Sequence, residues 1–375
     1  MHGKGCGIVC EYNPFHKGHA YQIEYVNKAI GLPVVCAMSG NFVQRGEPAC
    51  VEKKHRAEDA VNNGASVVLE IPFPYCSMTA EKFARAGVEI LDRSGMCSHI
   101  AFGSECADVE KLSEIAEFLL KASTKESIQV YQSNNPDISY AVAREAVILG
   151  ALGTEYADIC GNPNDILAIE YIKAIKQTES SLIPVAIKRT VERAQGADGV
   201  FASSSYIRKL MYSDDVESAK KYVPDVNNLE HFTTYEAFYK ALHISLMTRT
   251  PESLKDVLEL GGGLEYAVIK AAKSSANYVE MFDKLRCKTL TDAKIKRMLL
   301  FAFFGVSKER ASFSPAYTEV LALGKTQTAA ELMRLCRKHK RITVAQRVSS
   351  AKKDASAREQ YELCRNAENI LRYSK

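Results

Sequence analysis

Long apolar runs are missing from this 375-residue sequence, so it offers no candidate for a secretory signal or a membrane-spanning helix. Met1–Lys4 leads directly into a short apolar stretch instead. The eleven cysteines include no CxxC pair, which excludes the usual zinc or dithiol arrangement, and they are scattered through apolar segments. We therefore expect a cytoplasmic protein with reduced, mostly buried thiols and no membrane partner.

Internal repeats and low-complexity tracts are also absent. The glycine run Gly261–Gly263 follows no strand and lacks the Lys-Ser/Thr pair of a phosphate-binding loop, so we interpret it as a helix connection or hinge. With 46% hydrophobic and 25% charged residues, the composition is that of an ordinary globular protein. The length allows two domains, which we predict at residues 1–210 and 211–375.

Net positive charge is missing from the first three quarters of the chain and concentrated in the last quarter. Residues 1–280 carry 28 Lys and Arg against 36 Asp and Glu, whereas residues 281–375 carry 21 against 9. Such a concentration is typical of a surface that contacts a nucleic-acid backbone, although a basic face that is merely solvated is the alternative. Two clusters contribute most: Lys294, Lys296 and Arg297, and then Arg334, Arg337, Lys338, Lys340, Arg341 and Arg347.

The most informative stretch is residues 5–19, which read GCGIVCEYNPFHKGH. A short buried strand is predicted to end at a turn at Asn13-Pro14, and apolar residues at near-helical spacing predict a helix from Gly18 to Ile30. His16 and His19 then lie at a helix N-terminus, where free N–H groups favour a phosphate. Two imidazoles there, donating hydrogen bonds or carrying charge, can stabilise an α-phosphate under nucleophilic attack. Two unrelated surface histidines are the alternative.

Further strands are predicted to alternate with helices, which indicates a parallel α/β sheet. The strands are Val34–Met38, Ser66–Ile71, His99–Phe102 and Ile183–Arg189, the last of these being the final strand that we expect. Polar loops follow them at Asn41–Pro48, at Gly103–Glu105 and at Lys188-Arg189. Ligands bind at such strand ends in doubly wound sheets. Nearly all of the chain after Glu230 is predicted to be helical.

Three other groups of polar residues have two interpretations each. Asn164 precedes a predicted helix over Asp165–Lys176 and either caps it or binds a ligand. Ser203–Ser205, followed by Arg208, open another helix and either cap it or bind phosphate oxygens. Lys53 and Arg56 lie on a third helix and are either solvated or available to a leaving pyrophosphate.

The residues EYNPFHKGH resemble the HxGH nucleotidylyltransferase superfamily and, within it, the bacterial tRNA(Met) cytidine acetate ligases. Other blocks of this ligase family occur in the same order: Met38–Ala49, Phe102–Glu105, Pro163–Leu167 and Ile187–Arg189. The resemblance is strong over residues 5–210 and weaker beyond them. Two positions depart from the family pattern, with Ser66 in place of a common Asp and Lys54 in place of an aromatic residue.

The resemblance implies a Rossmann-like nucleotidylyltransferase sheet followed by a mostly helical, basic domain that binds tRNA. It further implies ATP, with Mg²⁺, and acetate as substrates, an acetyl-adenylate intermediate, and N-acetylcytidine at the wobble position of elongator tRNA(Met) as product. Gly103 and Asn164 are expected at the adenosine, and Arg189 with the Ser203–Arg208 turn at the outer phosphates.

The resemblance assigns catalysis to two histidines and ATP binding to a longer set that includes them. The catalytic pair is His16 and His19. The ATP-binding set is Gly7, Ile8, Val9, Cys10, Glu11, Tyr12, Asn13, Pro14, Phe15, His16, Lys17, Gly18, His19, Ala20, Gly103, Asn164, Arg189, Ser203, Ser205 and Arg208. Two alternatives stay open, namely an adenylyltransferase that acts on a small phosphorylated acceptor and a non-catalytic RNA-binding protein that retains a nucleotide pocket.

Overall fold

The computed structural model describes residues 4–189, 199–310, 314–339, 341–345 and 355–374. Strands alternate with helices over the first half of the chain, and helices dominate the later part. The predicted class, α/β with a parallel sheet and a mostly helical later part, is therefore confirmed.

Within the described residues, the strands are β1 (Gly5–Cys10), β2 (Val34–Ser39), β3 (Ala65–Ile71), β4 (Cys97–Ser104), β5 (Ile183–Lys188), β6 (Tyr317–Leu323) and β7 (Thr343–Ala345). The earlier helices are α1 (Lys17–Tyr25, continued by a π-helical turn at Val26–Ile30), α2 (Lys53–Asn62), α3 (Ala80–Ser94), α4 (Val109–Leu120), α5 (Ala122–Asn134), α6 (Tyr140–Leu152), α7 (Thr154–Gly161) and α8 (Pro163–Gln177). The later helices are α9 (Ser204–Tyr212), α10 (Val216–Lys220), α11 (Glu236–Met247), α12 (Leu264–Ser274), α13 (Tyr278–Leu285), α14 (Asp292–Phe304), α15 (Gln327–His339) and α16 (Ala355–Tyr373). Short 3₁₀ turns occur at Tyr75–Ser77, Val226–His231 and Glu252–Leu254.

The strands form one sheet in the order β5-β4-β1-β2-β3-β6-β7, and its first five strands are parallel. β1 has β2 on one side and β4 on the other, so the chain changes its direction of travel across the sheet at β1. In open parallel sheets, ligands bind in the crevice at the carboxyl ends of the strands beside such a switch point. The topology therefore places a binding crevice where β1 and β4 end.

Strands β6 and β7 correct one prediction, because Ile183–Arg189 does not contain the last strand. β6 pairs in antiparallel orientation with the outer edge of β3, with Val320 opposite Leu69, and β7 pairs in parallel with β6. The open edge of β3 stabilises β6, and that partner lies about 250 residues earlier in the chain. The sheet thus draws strands from both sides of residue 210, and the division into two domains at that residue stays a prediction.

Different cores cover the two faces of the sheet. Val35 and Ala37 pack on the face covered by α3 and the later helices, whereas Val34 and Cys36 pack on the face covered by α1 and α2. Successive residues of a strand point to opposite faces, so burial of both faces explains the continuous apolar runs in the parallel strands. Nine of the eleven cysteines are buried, as predicted, and the described part of the structure contains no disulfide.

No helix among the described residues combines the length and the apolar character that crossing a lipid bilayer demands. The glycine run before α12 connects two helical segments, as the sequence predicts. All three of its glycines have positive φ angles, and Gly263 occupies the N-cap position of α12.

An aromatic cluster fixes the loop that follows β2. The ring of Phe42 lies 5.3 Å from that of Phe73, 5.7 Å from that of Phe238 on α11 and 5.6 Å from that of Phe304 on α14. Because this loop leaves the carboxyl end of a parallel strand, the cluster holds residues 43–48 beside the binding crevice.

Candidate active site

The start of α1 brings two imidazoles together. His16 occupies the N-cap position, and its Nδ1 accepts a hydrogen bond of 3.1 Å from the backbone N–H of Gly18. The Nδ1 of His19 accepts one of 3.3 Å from the N–H of His16, and the two rings stack with their centroids 3.6 Å apart. A neutral imidazole whose Nδ1 accepts carries its proton on Nε2. Both side chains therefore offer an Nε2–H donor.

Electrostatics keep both imidazoles neutral. Burial lowers the pKa of His16 to about 3, and the positive charge of Arg189 contributes to the shift. The pKa of His19 is also lowered, by burial first and then by His16 and Arg189. Of the two modes that the sequence left open, donation of hydrogen bonds therefore fits this site and permanent positive charge does not.

Two glycines make room for side chains of the site. A Cβ at Gly18 would lie 3.0 to 3.1 Å from the imidazole of His16, so the glycine lets this ring fold back over the first turn of α1. At Gly103, a Cβ would lie 3.2 Å from the Cγ of Arg189. At both glycines, the first neighbours of an added Cβ are therefore protein side chains.

Two adjoining pockets open at the carboxyl ends of the parallel strands. The histidine pocket, of about 540 Å³ with its open mouth, is lined by His16, Gly18, His19, Tyr21, Gln22, Gly103, Ile187, Lys188, Arg189, Phe201 and Ala202. The aromatic pocket, of about 1300 Å³ with its mouth, is lined by Val9, Cys10, Glu11, Tyr12, His19, Gln22, Gln44, Arg45, Ala80, Phe83, Phe102, Gly103, Pro163, Asn164, Ile166, Leu167, Tyr171, Arg189 and Ser204. His19 and Arg189 line both pockets. The two pockets therefore meet at the N–H donor of His19 and the positive charge of Arg189.

The start of α8 is tied to the end of β4. Asp165 is fully buried and accepts hydrogen bonds from the Ser104 hydroxyl at 2.5 Å and from the N–H of Glu105 at 2.9 Å. The side-chain amide of Asn164 donates to Oε1 of Glu105 at 2.5 Å. Asn162, and not Asn164, occupies the N-cap position, so the interpretation of Asn164 as the helix cap is wrong. This network holds Asn164 at the wall of the aromatic pocket.

Ser203–Ser205 and Arg208 brace the loop that leads into α1. Ser203 caps α9 by accepting a hydrogen bond of 3.2 Å from the N–H of Tyr206. Arg208 donates to the carbonyl of Asn13 at 2.6 Å and to the hydroxyl of Ser205 at 3.2 Å. Ser204, in contrast, lines the aromatic pocket.

Comparisons with known proteins extend over the whole chain. The family model described as HIGH Nucleotidyl Transferase matches residues 3–375. The chain is 32% identical to the tRNA(Met) cytidine acetate ligase of Caldanaerobacter subterraneus subsp. tengcongensis, over 92% of this chain and 89% of that protein. The chain belongs to the tRNA(Met) cytidine acetate ligase family. The ligase of the same name from Ligilactobacillus salivarius is 31% identical, over 93% of this chain and 91% of its own length.

Solved structures of the same family share the fold. Thermotoga maritima TmcAL bound with alpha-thio ATP matches with a TM-score of 0.89 at 27% sequence identity, covering 99% of this chain and 95% of the other. Apo Thermotoga maritima TmcAL matches with a TM-score of 0.90, over 98% and 94% of the two chains. The resemblance to this ligase family and the nucleotidylyltransferase fold are confirmed.

The structure separates the residues that the family resemblance grouped as ATP ligands. Those that line a pocket are Val9, Cys10, Glu11, Tyr12, His16, Gly18, His19, Gly103, Asn164 and Arg189. Gly7 and Ile8 lie inside the sheet, where Gly7 faces Leu91. The remaining members, which neither pocket includes, are Asn13, Pro14, Phe15, Lys17, Ala20, Ser203, Ser205 and Arg208.

Several of these remaining residues hold the loop between β1 and α1. The side-chain oxygen of Asn13 accepts a hydrogen bond of 2.7 Å from the N–H of Cys50. The ring of Phe15 is buried, with its centroid 4.8 Å from that of Tyr12. The N–H of Lys17 donates to the carbonyl of Tyr222 at 2.8 Å. They act on the site through the position of the loop.

The sequence analysis assigned no role to several residues that line the pockets. These are Tyr21, Gln22, Phe83, Phe102, Ile166, Leu167, Tyr171 and Phe201. Most are apolar or aromatic, and such residues at helical or strand spacing cannot be distinguished from core residues by pattern. Gln44 and Arg45 do line the aromatic pocket, as the position of their loop at a strand end suggests.

Lys53 and Arg56 do not face either pocket, so their interpretation as pyrophosphate ligands is wrong. The ammonium of Lys53 lies 3.0 Å from Glu70, 3.3 Å from Glu319 and 3.6 Å from Glu368. Arg56 is fully buried and donates to backbone carbonyls, including that of Val51 at 2.9 Å and that of Ser39 at 3.1 Å. Both side chains have structural partners for their charge.

Proposed function

We propose that this chain is an ATP-dependent tRNA(Met) cytidine acetate ligase, which forms acetyl-adenylate and transfers the acetyl group to the wobble cytidine of elongator tRNA(Met). The product is N-acetylcytidine, and the proposed compartment is the cytoplasm, where tRNA occurs. The observation that carries the proposal is the stacked pair of His16 and His19, whose two Nε2–H donors meet Arg189 at the junction of two pockets.

The first step requires stabilisation of negative charge on phosphorus. An acetate oxygen attacks the α-phosphorus of ATP, and pyrophosphate leaves with the electron pair of the broken bond. Preorganised donors aimed at the developing charge each contribute about 10²–10³ in rate. His16 and His19 supply two such donors, and Arg189 supplies a cation beside them.

The two pockets suggest how ATP lies in the site. The apolar and aromatic walls around Gly103 and Asn164 suit an adenosine, since nucleoside bases bind between such surfaces. We assign the outer phosphates to Arg189 and to Ser204, the residue of the Ser203–Arg208 turn that lines the aromatic pocket. Among the described residues, no group of three His, Cys, Asp or Glu side chains converges on a metal position. Mg²⁺ suits this site as an ion held by phosphate oxygens and water, which it prefers to protein cages.

The distribution of basic residues supports the proposed tRNA partner. Lys296 on α14 pairs with Glu47, in the loop after β2 beside the aromatic pocket. Arg334 and Lys338 on α15 line a cleft with Gly31–Pro33, which directly precede β2 and so lie at the opposite edge of the sheet. A six-residue strand spans about 20 Å. We propose that one tRNA contacts both edges.

Two residues of the second predicted basic cluster, Lys340 and Arg347, lie outside the described residues. Of the others, Arg334, Arg337 and Lys338 are exposed on α15, and Arg341 follows this helix.

A reconstituted reaction tests the proposal. The protein is incubated with ATP, acetate and unmodified elongator tRNA(Met), and pyrophosphate and modified nucleosides are measured. We expect pyrophosphate release that depends on acetate, and N-acetylcytidine at the wobble position. Acceptance of phosphopantetheine in place of acetate and tRNA would instead identify a small-molecule adenylyltransferase. Binding of tRNA without any pyrophosphate release would identify a non-catalytic protein.

A genetic experiment tests the same proposal in cells. Nucleosides of tRNA from cells that lack the protein are compared by mass spectrometry with those from cells that contain it. Loss of N-acetylcytidine is the expected result, and an unchanged nucleoside profile would contradict the proposed substrate.

A further inference from the structure

The proposed transfer step needs a proton acceptor that the phosphate chemistry does not supply. The exocyclic amine of cytidine shares its electron pair with the ring, so it is a weak nucleophile unless it loses a proton as it attacks. The new N–C bond forms at the acetyl carbonyl carbon, the bond from that carbon to the phosphate oxygen breaks, and AMP leaves with that electron pair. One proton of the amine must go to a base.

The two histidines of the site cannot be this base in the state that the structure shows. The Nδ1 atoms of His16 and His19 accept backbone hydrogen bonds, and their Nε2 atoms carry the protons. On the side that faces the pocket, each imidazole therefore offers an N–H donor and no atom that can accept a proton. Transfer of a proton to either ring would also produce a cation beside Arg189, which the lowered pKa values of both rings oppose.

Glu11 contributes a carboxylate at the right place. Of the described residues that line the histidine and aromatic pockets, it is the only Asp or Glu. It directly follows β1 and lines the aromatic pocket together with His19 and Arg189. Glu11 thus lines the same pocket as His19, the donor that we assign to the α-phosphate.

The carboxylate is held in position by the loop after β2. Its Oε1 accepts a hydrogen bond of 2.6 Å from the N–H of Gln44, whose side chain donates to the carbonyl of Met78 at 3.1 Å. The backbone carbonyl of Glu11 accepts a hydrogen bond from Arg56. Among the described residues, no hydrogen bond to Oε2 is present, so this oxygen can accept a proton from a substrate.

The surroundings of Glu11 suit a base. Burial raises the pKa of the carboxyl group, and the N–H of Gln44 and the charges of Arg208, Arg45 and Arg56 offset part of that rise. The other polar residues that line the same pocket are Cys10, Tyr12, His19, Gln22, Gln44, Arg45, Asn164, Tyr171, Arg189 and Ser204. A carboxylate whose pKa is raised toward the working pH is a more effective proton acceptor than an ordinary carboxylate.

We propose that Glu11 is the catalytic base of acetyl transfer and accepts the proton of the cytidine amine on Oε2 while AMP departs. This proposal rests on the proposed function, because it assigns a residue to the second step of that reaction. It predicts that loss of the Glu11 carboxylate slows transfer much more than it slows activation of acetate.

The test separates the two steps with Glu11→Gln. The glutamine has the same size, and its amide oxygen can still accept the hydrogen bond from Gln44. Because Glu11 also lines the proposed ATP pocket, acetate-dependent pyrophosphate release by the same variant is the reference rate, and it should fall at least about tenfold less than transfer does. Transfer of acetyl from synthetic acetyl-adenylate to tRNA should fall by about 10²–10⁴, as loss of a general base typically causes. Glu24→Gln is the matched control, because Glu24 is an exposed α1 residue that pairs with Lys28 and should change neither step.

The pH profile of transfer distinguishes a base from a structural residue. Protonation of Glu11 at low pH removes the base, so wild-type transfer should rise with pH and level off above the raised pKa of this group. The profile of Glu11→Gln should be flat over the same range. Glu11→Asp should keep the pH dependence at a reduced rate, and it serves as the second variant if the glutamine variant does not fold.

Several results would overturn the assignment. Transfer by Glu11→Gln at the wild-type rate would mean that the departing phosphate takes the proton. An equal loss of both steps, with a pH profile like that of wild type, would mean that Glu11 only holds the site together. Failure of the proposed function is a separate outcome, since wild-type protein would then produce neither acetate-dependent pyrophosphate nor N-acetylcytidine.

Discussion

Two groups of nitrogen-bearing side chains lie beside the same sheet and use their hydrogen-bonding capacity in opposite ways. At the start of α1, backbone N–H groups occupy the acceptor atoms of His16 and His19, which leaves the donors directed at a pocket. On α2, the donors of Lys53 are used by three carboxylates, of which Glu70 is buried, and those of Arg56 are used by backbone carbonyls. The first group directs its N–H donors at a ligand site, whereas the donors of the second group already bind partners within the protein.

The difference shows that residue type alone does not determine whether a basic side chain binds a ligand. Lys53 takes its partners from three separate elements, with Glu70 on β3, Glu319 on β6 and Glu368 on α16. Burial raises the pKa of Glu70 to about 6, and the positive charge of Lys53 opposes that shift. The lysine is therefore a counter-ion that keeps a buried carboxylate compatible with the folded state.

The largest expected effect is on stability, from Lys53→Met. The methionine fills a similar volume but leaves Glu70, which is 1% exposed, without its counter-ion. Removing one partner of a buried ion pair costs about 3–5 kcal/mol. Urea unfolding measures this loss, and Lys54→Met, at the exposed neighbouring lysine, should stay within about 0.5 kcal/mol of wild type. If Lys53→Met kept its stability and lost pyrophosphate release, Lys53 would bind the substrate, and it would no longer differ from the two histidines.

The next effect is on rate, from His19→Ala. The substitution removes one of the two Nε2–H donors, so adenylate formation should fall by about a hundredfold or more while the protein stays folded. The measurement is acetate-dependent pyrophosphate release without tRNA. His55→Ala is the control, because His55 stacks on His231 at 3.7 Å outside both pockets. Near-wild-type turnover of His19→Ala would refute the phosphate-binding role of the pair.

The smallest effect concerns the same contrast among basic residues of the last quarter of the chain. Arg297 on α14 pairs with Glu259 at 2.8 Å, whereas no described carboxylate pairs with Arg334, Arg337 or Lys338 on α15. Replacing these three unpaired residues by Ala should weaken tRNA binding and flatten its salt dependence by about one unit of slope per lost phosphate contact. Pyrophosphate release without tRNA should not change.

A matched triple variant controls for the loss of charge alone. Lys240, Lys270 and Lys273 are exposed on α11 and α12, outside the basic last quarter, and their replacement by Ala removes the same charge. Equal salt dependence of the two triple variants and wild type would exclude α15 from the tRNA surface.

Local signals in the sequence were sufficient for the strand-turn-helix unit that holds the histidines. The apolar run of β1, the Asn13-Pro14 turn and the spacing of α1 are each encoded within a few residues, and the topology then follows from alternation of strands and helices. The acceptor role of the two Nδ1 atoms was not predictable, because it depends on ring orientation. Nor was the role of Gly18, whose missing Cβ accommodates the His16 ring.

Features that depend on distant parts of the chain were missed. β6 is extended because it pairs with β3, and its seven residues follow a long helical region that gives no reason to expect a strand. The burial of Lys53 depends on Glu319 and Glu368, which are contributed by that same late segment. The sequence places Glu11 near a strand end. That Glu11 is the only Asp or Glu among the described residues of the two pockets depends on the folded structure.

The pairing of β6 with β3 has a consequence for the newly made chain. Leu323 lies opposite Val67, so a ribosome that adds about 5–20 residues per second completes β6 on the order of ten to fifty seconds after β3. During that interval, the outer edge of β3 presents unpaired backbone groups, a surface on which a neighbouring nascent chain can add a strand. An mRNA broken before the codons of β6 yields a polypeptide in which the backbone groups at the outer edge of β3 lack their β6 partners.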